Sequence, residues 1–203
     1  MNEPVRARVV LNVGCGVRRA GSLPACFDSW KEIRVDSEAS VLPDVIADLT
    51  DLSSFADASA HAVWAAHCME HLYEYQIPIA LSEFRRVLRN DGFVCVIVPD
   101  LQTVAGYIAQ DRLHEPLYQS AAGPVTPHDV LFGFGPAIAS GQTTMAHHCG
   151  FTPSVLQRCF NGLKYGEIIV RRRSGSLELA AVARVTAASS AAERATLMAS
   201  LQL

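Results

Sequence analysis

A short apolar run that ends in two closely spaced glycines constrains this chain more than any other feature. Val9 to Val13 leads directly into Gly14-Cys15-Gly16, which reads as a buried strand entering a tight turn. Glycine suits such a turn because the backbone must bend sharply and approach a ligand without a Cβ in the way. In an open α/β sheet, the carboxyl end of the first strand is where a nucleotide binds. A lone G-x-G could serve any tight turn. Asp36 narrows the reading, because it ends the next run, Glu32 to Val35, about 20 residues on, where a carboxylate can accept hydrogen bonds from both ribose hydroxyls.

The rest of the pattern fits the same architecture. Asp44 to Leu49 is a third short run and Ala62 to Ala66 a fourth, ending at His67. Pro78 to Asn90 carries Ile79, Leu81, Phe84, Val87 and Leu88 at near-helical spacing. Asn90-Asp91-Gly92 is expected to stop that helix and start the strongly apolar strand Phe93 to Val98. Runs apolar on both faces, separated by helices or long connections, predict an α/β fold: a Rossmann-like, mainly parallel sheet with helices on both faces. Glu167 to Arg173 and Leu177 to Val185 flank Ser174-Gly175-Ser176 and predict a C-terminal antiparallel hairpin. Leu101 to Gly150 holds Pro116, Pro124, Pro127 and Pro136, the mark of a lid or acceptor-binding insertion. Thr152-Pro153 should cap a helix through Asn161, with Gly162 just past its end. The Ala-rich tail, about residues 187–203, reads as a helix that closes the core or pairs with its copy in a homodimer through Leu197, Leu201 and Leu203. The whole is expected to be a single domain, since 203 residues at 50% hydrophobic content suffice for one core.

Composition limits the partners. With 17 basic and 20 acidic residues the net charge is −3, which disfavours bulk nucleic-acid binding. Arg171, Arg172 and Arg173 are the only basic run, read here as a solvated sheet edge. No apolar run approaches the ~20 residues of a membrane span. The six cysteines are scattered, and some sit inside apolar runs, as in Val94-Cys95-Val96. That favours a reducing compartment, and with no signal-peptide core a cytoplasmic location is expected.

Three motifs make the resemblance specific. Leu11-Asn12-Val13-Gly14-Cys15-Gly16 is the first and Pro43-Asp44-Val45-Ile46-Ala47-Asp48-Leu49 the second. The third is His67-Cys68-Met69-Glu70-His71-Leu72, followed by Arg86-Val87-Leu88-Arg89-Asn90-Asp91-Gly92. In these the chain resembles class I S-adenosylmethionine-dependent methyltransferases, most closely a branch similar to methyltransferase type 11. Asp91 stands where that branch usually has a glycine. The similarity covers most of Val9 to Leu101 and continues more loosely through His147 to Phe160. The resemblance implies S-adenosylmethionine as cofactor. Gly14, Cys15 and Gly16, with Asn12 beneath them, would line its methionine portion. Asp36 would hold the ribose, Asp48 and Leu49 would meet the adenine, and His67 would lie beside the methionine end.

The rival nicotinamide fingerprint requires a third glycine where Arg19 stands, and Gly21 and Pro24 make a poor long helix of the segment after it. Methyl transfer needs alignment, exclusion of water and, for oxygen or nitrogen acceptors, a base. Candidate catalytic residues are His67 at a strand end, His128 beside Asp129, and His147 in the insertion. Two of them have a plainer alternative: a cap or loop-ordering role for His67, and an Asx-type turn or helix cap for His128-Asp129. On one helical face His67, Glu70 and His71 could converge on a metal ion, a spelling shared with inverted zinc peptidases. The same residues serve structure in metal-free relatives, and the favoured reading has no metal. The expected activity is methyl transfer to a small-molecule acceptor. The alternatives are a cofactor-binding regulatory or scaffold protein without turnover and, third, a metal-dependent hydrolase.

Overall fold

The computed structural model describes residues 7–18, 23–120, 122–173, 175–188 and 190–203. Arg19 and Gly21, weighed above against a dinucleotide fingerprint, and Ser174 of the hairpin turn lie outside them.

Side-chain alternation builds the central sheet. Its strands are β1 (Val9–Val13), β2 (Lys31–Asp36), β3 (Val45–Ile46), β4 (Ala60–Ala66) and β5 (Leu88–Pro99), joined by two later strands. Between these lies a separate small ribbon of β6 (Tyr118–Ser120) and β7 (Gly123–Val125). The later pair is β8 (Glu167–Arg172) and β9 (Glu178–Arg184), and the seven strands run in the order β3-β2-β1-β4-β5-β9-β8. Strands β1 to β5 pair in parallel, while β9 inserts antiparallel between β5 and β8. This is the Rossmann-like sheet with a C-terminal antiparallel hairpin that the sequence pattern calls for.

Successive side chains point to opposite faces of a strand, and here both faces are apolar. Val94, Val96 and Val98 of β5 join one core, with Val63 of β4 and Leu11 of β1. Phe93, Cys95 and Ile97 join the other, with Trp64 and Val10. Helix α1 (Ile77–Val87) covers the first face through Leu81, Phe84 and Val87, in company with Leu156 and Phe160. The second face is closed by Phe27 and, from the tail, by Met198 and Leu201. The tail's apolar stripe is therefore spent on the core of its own chain.

Several boundaries differ from the sequence reading. α1 ends at Val87, where Leu88 turns extended, and β5 begins there rather than after a glycine stop. Gly92 lies inside β5, where a Cβ would come 2.9 Å from the His61 carbonyl oxygen. Residues 89–92 have no partner in β4, because the register jumps from Leu88 opposite Ala60 to Phe93 opposite Ala62, so the expected break persists as a bulge within the strand. The third run shrinks to the two residues of β3.

The segment after β5 forms α2 (Leu101–Ile108), the β6–β7 ribbon, α3 (Pro127–Phe132) and α4 (Gly135–Ala139) around a small core of Val104, Val125 and Val130. α5 (Pro153–Cys159) follows, with Thr152 Oγ1 accepting the Val155 N–H as its cap, and α6 (Ala191–Ser200) forms the tail.

Phe84 is fully buried in the first core. Phe84→Ala is expected to lower stability by about 3–5 kcal/mol, read as a reduced urea midpoint at unchanged slope. A loss under about 1 kcal/mol would mean that α1 is not what seals this face.

Candidate active site

The carboxyl ends of β1, β2 and β4 form the floor of a cleft of about 670 Å³. Gly14 and Gly16 both have left-handed backbone, with φ of 61° and 56°. A Cβ on Gly14 would lie 2.3 Å from the Cβ of Cys68, so the ends of β1 and β4 can approach only with glycine there. A Cβ on Gly16 would meet nothing within 4 Å, because this residue faces the open cleft. Asp36 ends β2, accepts the Gly16 N–H at 2.8 Å and the Glu38 N–H at 3.0 Å, and lines the cleft. Asp48 and Leu49 line it too, with the Asp48 carboxylate fixed by the Thr50 N–H at 2.8 Å.

Sequence reasoning missed Arg34. Its guanidinium, almost wholly buried, donates to the carbonyls of Gly16 at 2.5 Å and Leu42 at 2.6 Å, and so clamps both rims of the cleft. No distinct signal in the sequence marks it, because β2 also holds Lys31, Glu32 and Asp36. Two expected cofactor contacts, Asn12 and Cys15, are not among the described residues lining the cleft. Asn12 is buried in β1 and donates to Glu32 Oε1 at 2.8 Å. The Cys15 amide donates to the Val35 carbonyl at 3.2 Å, and burial pushes its thiol up to about 11.

A second cavity, of about 890 Å³, opens beside the first. The insertion supplies Tyr107, Tyr118, Val130, Phe134 and His147 to its wall, and the sheet supplies Glu178. His67, His71 and Met145 belong to the walls of both.

His67 directly follows β4 with a positive φ of 54°, a conformation uncommon for a side-chain-bearing residue. It stands in a line of alternating charge. Arg173 Nη1 donates to Glu178 Oε2 at 2.6 Å, Glu178 Oε1 lies 2.8 Å from His67 Nε2, and Glu70 Oε1 lies 3.5 Å from His67 Nδ1. Burial disfavours the imidazolium, but the Glu178 and Glu70 carboxylates outweigh it and raise His67 to about 10. Burial likewise opposes charge on Glu178, yet His67 and Arg173 hold its carboxyl near 2. Glu70 is also held below the usual carboxylate range against its burial, by the same imidazolium. His67 is therefore a charged donor at neutral pH, with both ring nitrogens engaged.

The other expected catalytic histidines separate. His147 lies in the cavity wall with Nδ1 2.8 Å from the Val130 carbonyl, and burial lowers its pKa. His128 packs against His114 and Phe132, outside the cavity lining among the described residues. Its neighbour Asp129 completes a capping box with Thr126 at the start of α3. The arginine run lies at the solvated sheet edge, with Arg171 and Arg172 exposed on the terminal strand β8. Arg172 also donates to buried Asp100 at 2.6 Å, and Arg173 holds Glu178.

Residues 11–96 match the family model described as a methyltransferase domain. The matched segment runs from β1 to β5 and contains Gly14, Gly16, Asp36 and His67. No curated protein matches the sequence. Among solved structures, a SAM-dependent methyltransferase from Archaeoglobus fulgidus superposes with a TM-score of 0.57 at 15% identity, covering 88% of this chain and 86% of that one. One from Methanosarcina mazei gives 0.57 at 12% identity, covering 89% and 94%. The 1,6-didemethyltoxoflavin-N1-methyltransferase of Burkholderia thailandensis, solved with its substrate and S-adenosylhomocysteine bound, gives 0.50 at 16% identity, covering 90% and 72%. The domain match supports a methyltransferase enzyme, and the solved structures share the fold of this chain.

The His67–Glu178 pair carries a pH signature. His67 binds its proton more tightly folded than unfolded, so that contribution is fully present below pH 6.5 and is lost as pH rises through about 10. Glu178 ionises more readily when folded, so its contribution is present above pH 4.5 and is lost as pH falls through about 2. The melting-temperature gap between wild type and Glu178→Gln should be widest between pH 4.5 and 6.5 and narrow on either side. A gap that stays constant across the whole range would show that the two groups do not form an ion pair in the folded protein.

Proposed function

We propose that this chain transfers a methyl group from S-adenosylmethionine to a small-molecule acceptor, as a single domain in which the segment from Leu101 to Gly150 holds the acceptor. One observation carries the reading: two cavities of different character share a wall at His67, His71 and Met145. A transfer reaction needs two ligands in contact and water kept out, and this arrangement supplies a place for each.

The residues of the smaller cleft fit the cofactor. Gly16 leaves open space where any other residue would project a side chain, and Asp36 stands at the end of β2 with its carboxylate in the cleft. Asp36 would take the ribose hydroxyls, Asp48 and Leu49 the adenine, and Gly14, Gly16 and His67 the methionine end. When bound, the cofactor supplies a methyl group on a positively charged sulfur.

The protein's own contribution is then positioning. The line Glu70–His67–Glu178–Arg173 fixes the wall between the cavities, and its carboxylates place negative charge on the acceptor side. Glu178, with its carboxyl near 2, is too weak a base to deprotonate an acceptor, and His67 is already protonated. His147 alone of the three expected catalytic histidines offers the cavity an unprotonated ring nitrogen. The apolar walls given by Val130, Phe134 and the tyrosine rings suit a compact organic acceptor. Among the described residues no helix is long and apolar enough to cross a membrane.

Calorimetric titration with S-adenosylhomocysteine is the direct test. Wild type should bind saturably and Asp36→Ala should bind at least ~10-fold more weakly, since a lost hydrogen bond to a charged group costs about 1.5–3 kcal/mol. Because Asp36 also holds Gly16, Asp36→Asn and a thermal melt of each variant separate lost contacts from lost fold. Absence of binding to folded wild type would overturn the reading.

A further inference from the structure

Glu70 presents a problem that the charge line does not solve. The residue is 2% exposed, and its Oε1 faces His67, but its Oε2 is buried with no hydrogen-bond partner. An unpartnered carboxylate oxygen in the interior is costly. It lies beside two imidazoles. Donor atoms of Glu70, His71 and His147 all fall within 4.8 Å of one another, and the two rings sit 4.9 Å apart, centroid to centroid.

The orientation of the rings matters more than their proximity. His71 Nδ1 lies 3.1 Å from the Ala146 carbonyl and His147 Nδ1 2.8 Å from the Val130 carbonyl. A carbonyl can only accept, so each Nδ1 carries a hydrogen, and in the neutral ring it is Nε2 that keeps its lone pair. Tethering of the far ring nitrogen to a backbone carbonyl is the outer-shell arrangement that fixes histidine ligands to metals. The strands of the site are also held together. The His148 amide donates to the Glu70 carbonyl at 2.9 Å and the His147 amide to the Phe132 carbonyl at 3.2 Å, so the insertion brings His147 to the end of β4.

We infer that Glu70, His71 and His147 form a binding site for one divalent first-row transition ion, of the zinc type, in the wall of the larger cavity. Two imidazoles and one carboxylate, with no thiolate and only one hard oxygen, suit such an ion better than magnesium or calcium. A donor distance of about 2.1 Å is reached from this spacing by small side-chain rotations. Three protein ligands leave a coordination position open toward the cavity. The ion's role, though not its binding, rests on the methyl-transfer reading: it would hold an acceptor oxygen and ease loss of its proton to solvent. This differs from the set read off the sequence, because His67 is taken up by two carboxylates and His147 replaces it.

The test uses the full chain, untagged and stripped of metal. Titration with Zn2+ alone should give one equivalent bound per chain, and Co2+ should give visible absorption of a low-coordinate nitrogen–oxygen site. His147→Ala should weaken binding by more than the ~10–100-fold that loss of an outer-shell partner costs, as should Glu70→Gln, while His128→Ala should leave it unchanged. Melting curves identify a variant that fails to fold, and His147→Ala, at the cavity wall, keeps the test open if Glu70→Gln is such a case. No zinc bound by folded wild type, equal binding by His147→Ala, or displacement of Co2+ by equimolar Mg2+ would each overturn the assignment. S-adenosylhomocysteine titrated into the same samples keeps the two proposals apart. Binding of that ligand without zinc removes only the metal site, and zinc without that ligand removes only the methyl-transfer reading.

Discussion

Keeping the Glu70 carboxylate charged inside the protein is the constraint on which the site end of the sheet depends. A buried ion pair is favourable only when its geometry is good and its remaining lone pairs are met. His67 meets one Glu70 oxygen, and Glu178 and Arg173 balance the imidazolium in turn. Each member comes from a different place: the end of β4, the turn after it, the start of β9 and the approach to β9. The charge line therefore binds the antiparallel strand to the parallel half of the sheet just where the two cavities meet.

This arrangement works because β9 enters the sheet next to β5. The register sets Pro99 opposite Glu178, which puts a strand-start carboxylate level with the carboxyl ends of the parallel strands. A parallel strand in that place would offer its own carboxyl end instead. Asp100 acts in a related way one residue further on, capping α2 while pairing with Arg172. The insertion's first helix is thus anchored to the terminal hairpin.

Much of the fold was legible in one dimension. Near-continuous burial in β1, β4 and the second half of β5 follows from their largely apolar runs, since a strand covered on both faces needs no polar side. Gly14, Gly16 and Asp36 could be found because backbone shape and a strand-end carboxylate leave a local mark. Other positions left a misleading one. Asn90-Asp91-Gly92 looks like a helix stop, yet α1 already ends at Val87 and this stretch forms a bulge between Leu88 and Phe93 of β5. Asn12 sits in a cofactor motif, yet the nearest partner for its amide is Glu32 on the neighbouring strand. Arg34 was not legible, since it is one of four charges in β2 and its partners are backbone carbonyls on other segments.

The sequence by itself determined the strand-turn-strand unit, the parallel sheet and the glycine-lined cleft, because these follow from side-chain periodicity and from backbone freedom at single residues. Only the tertiary structure decided which histidines meet which acids. His67, His128 and His147 are equivalent as letters, and each is plausible as a base. Three-dimensional contact makes the first a paired cation, leaves the second against His114 and Phe132, and brings the third to Glu70 and His71 from more than seventy residues away. Charge state and ligand sets depend on distances between segments far apart in the chain, and no local pattern encodes those distances.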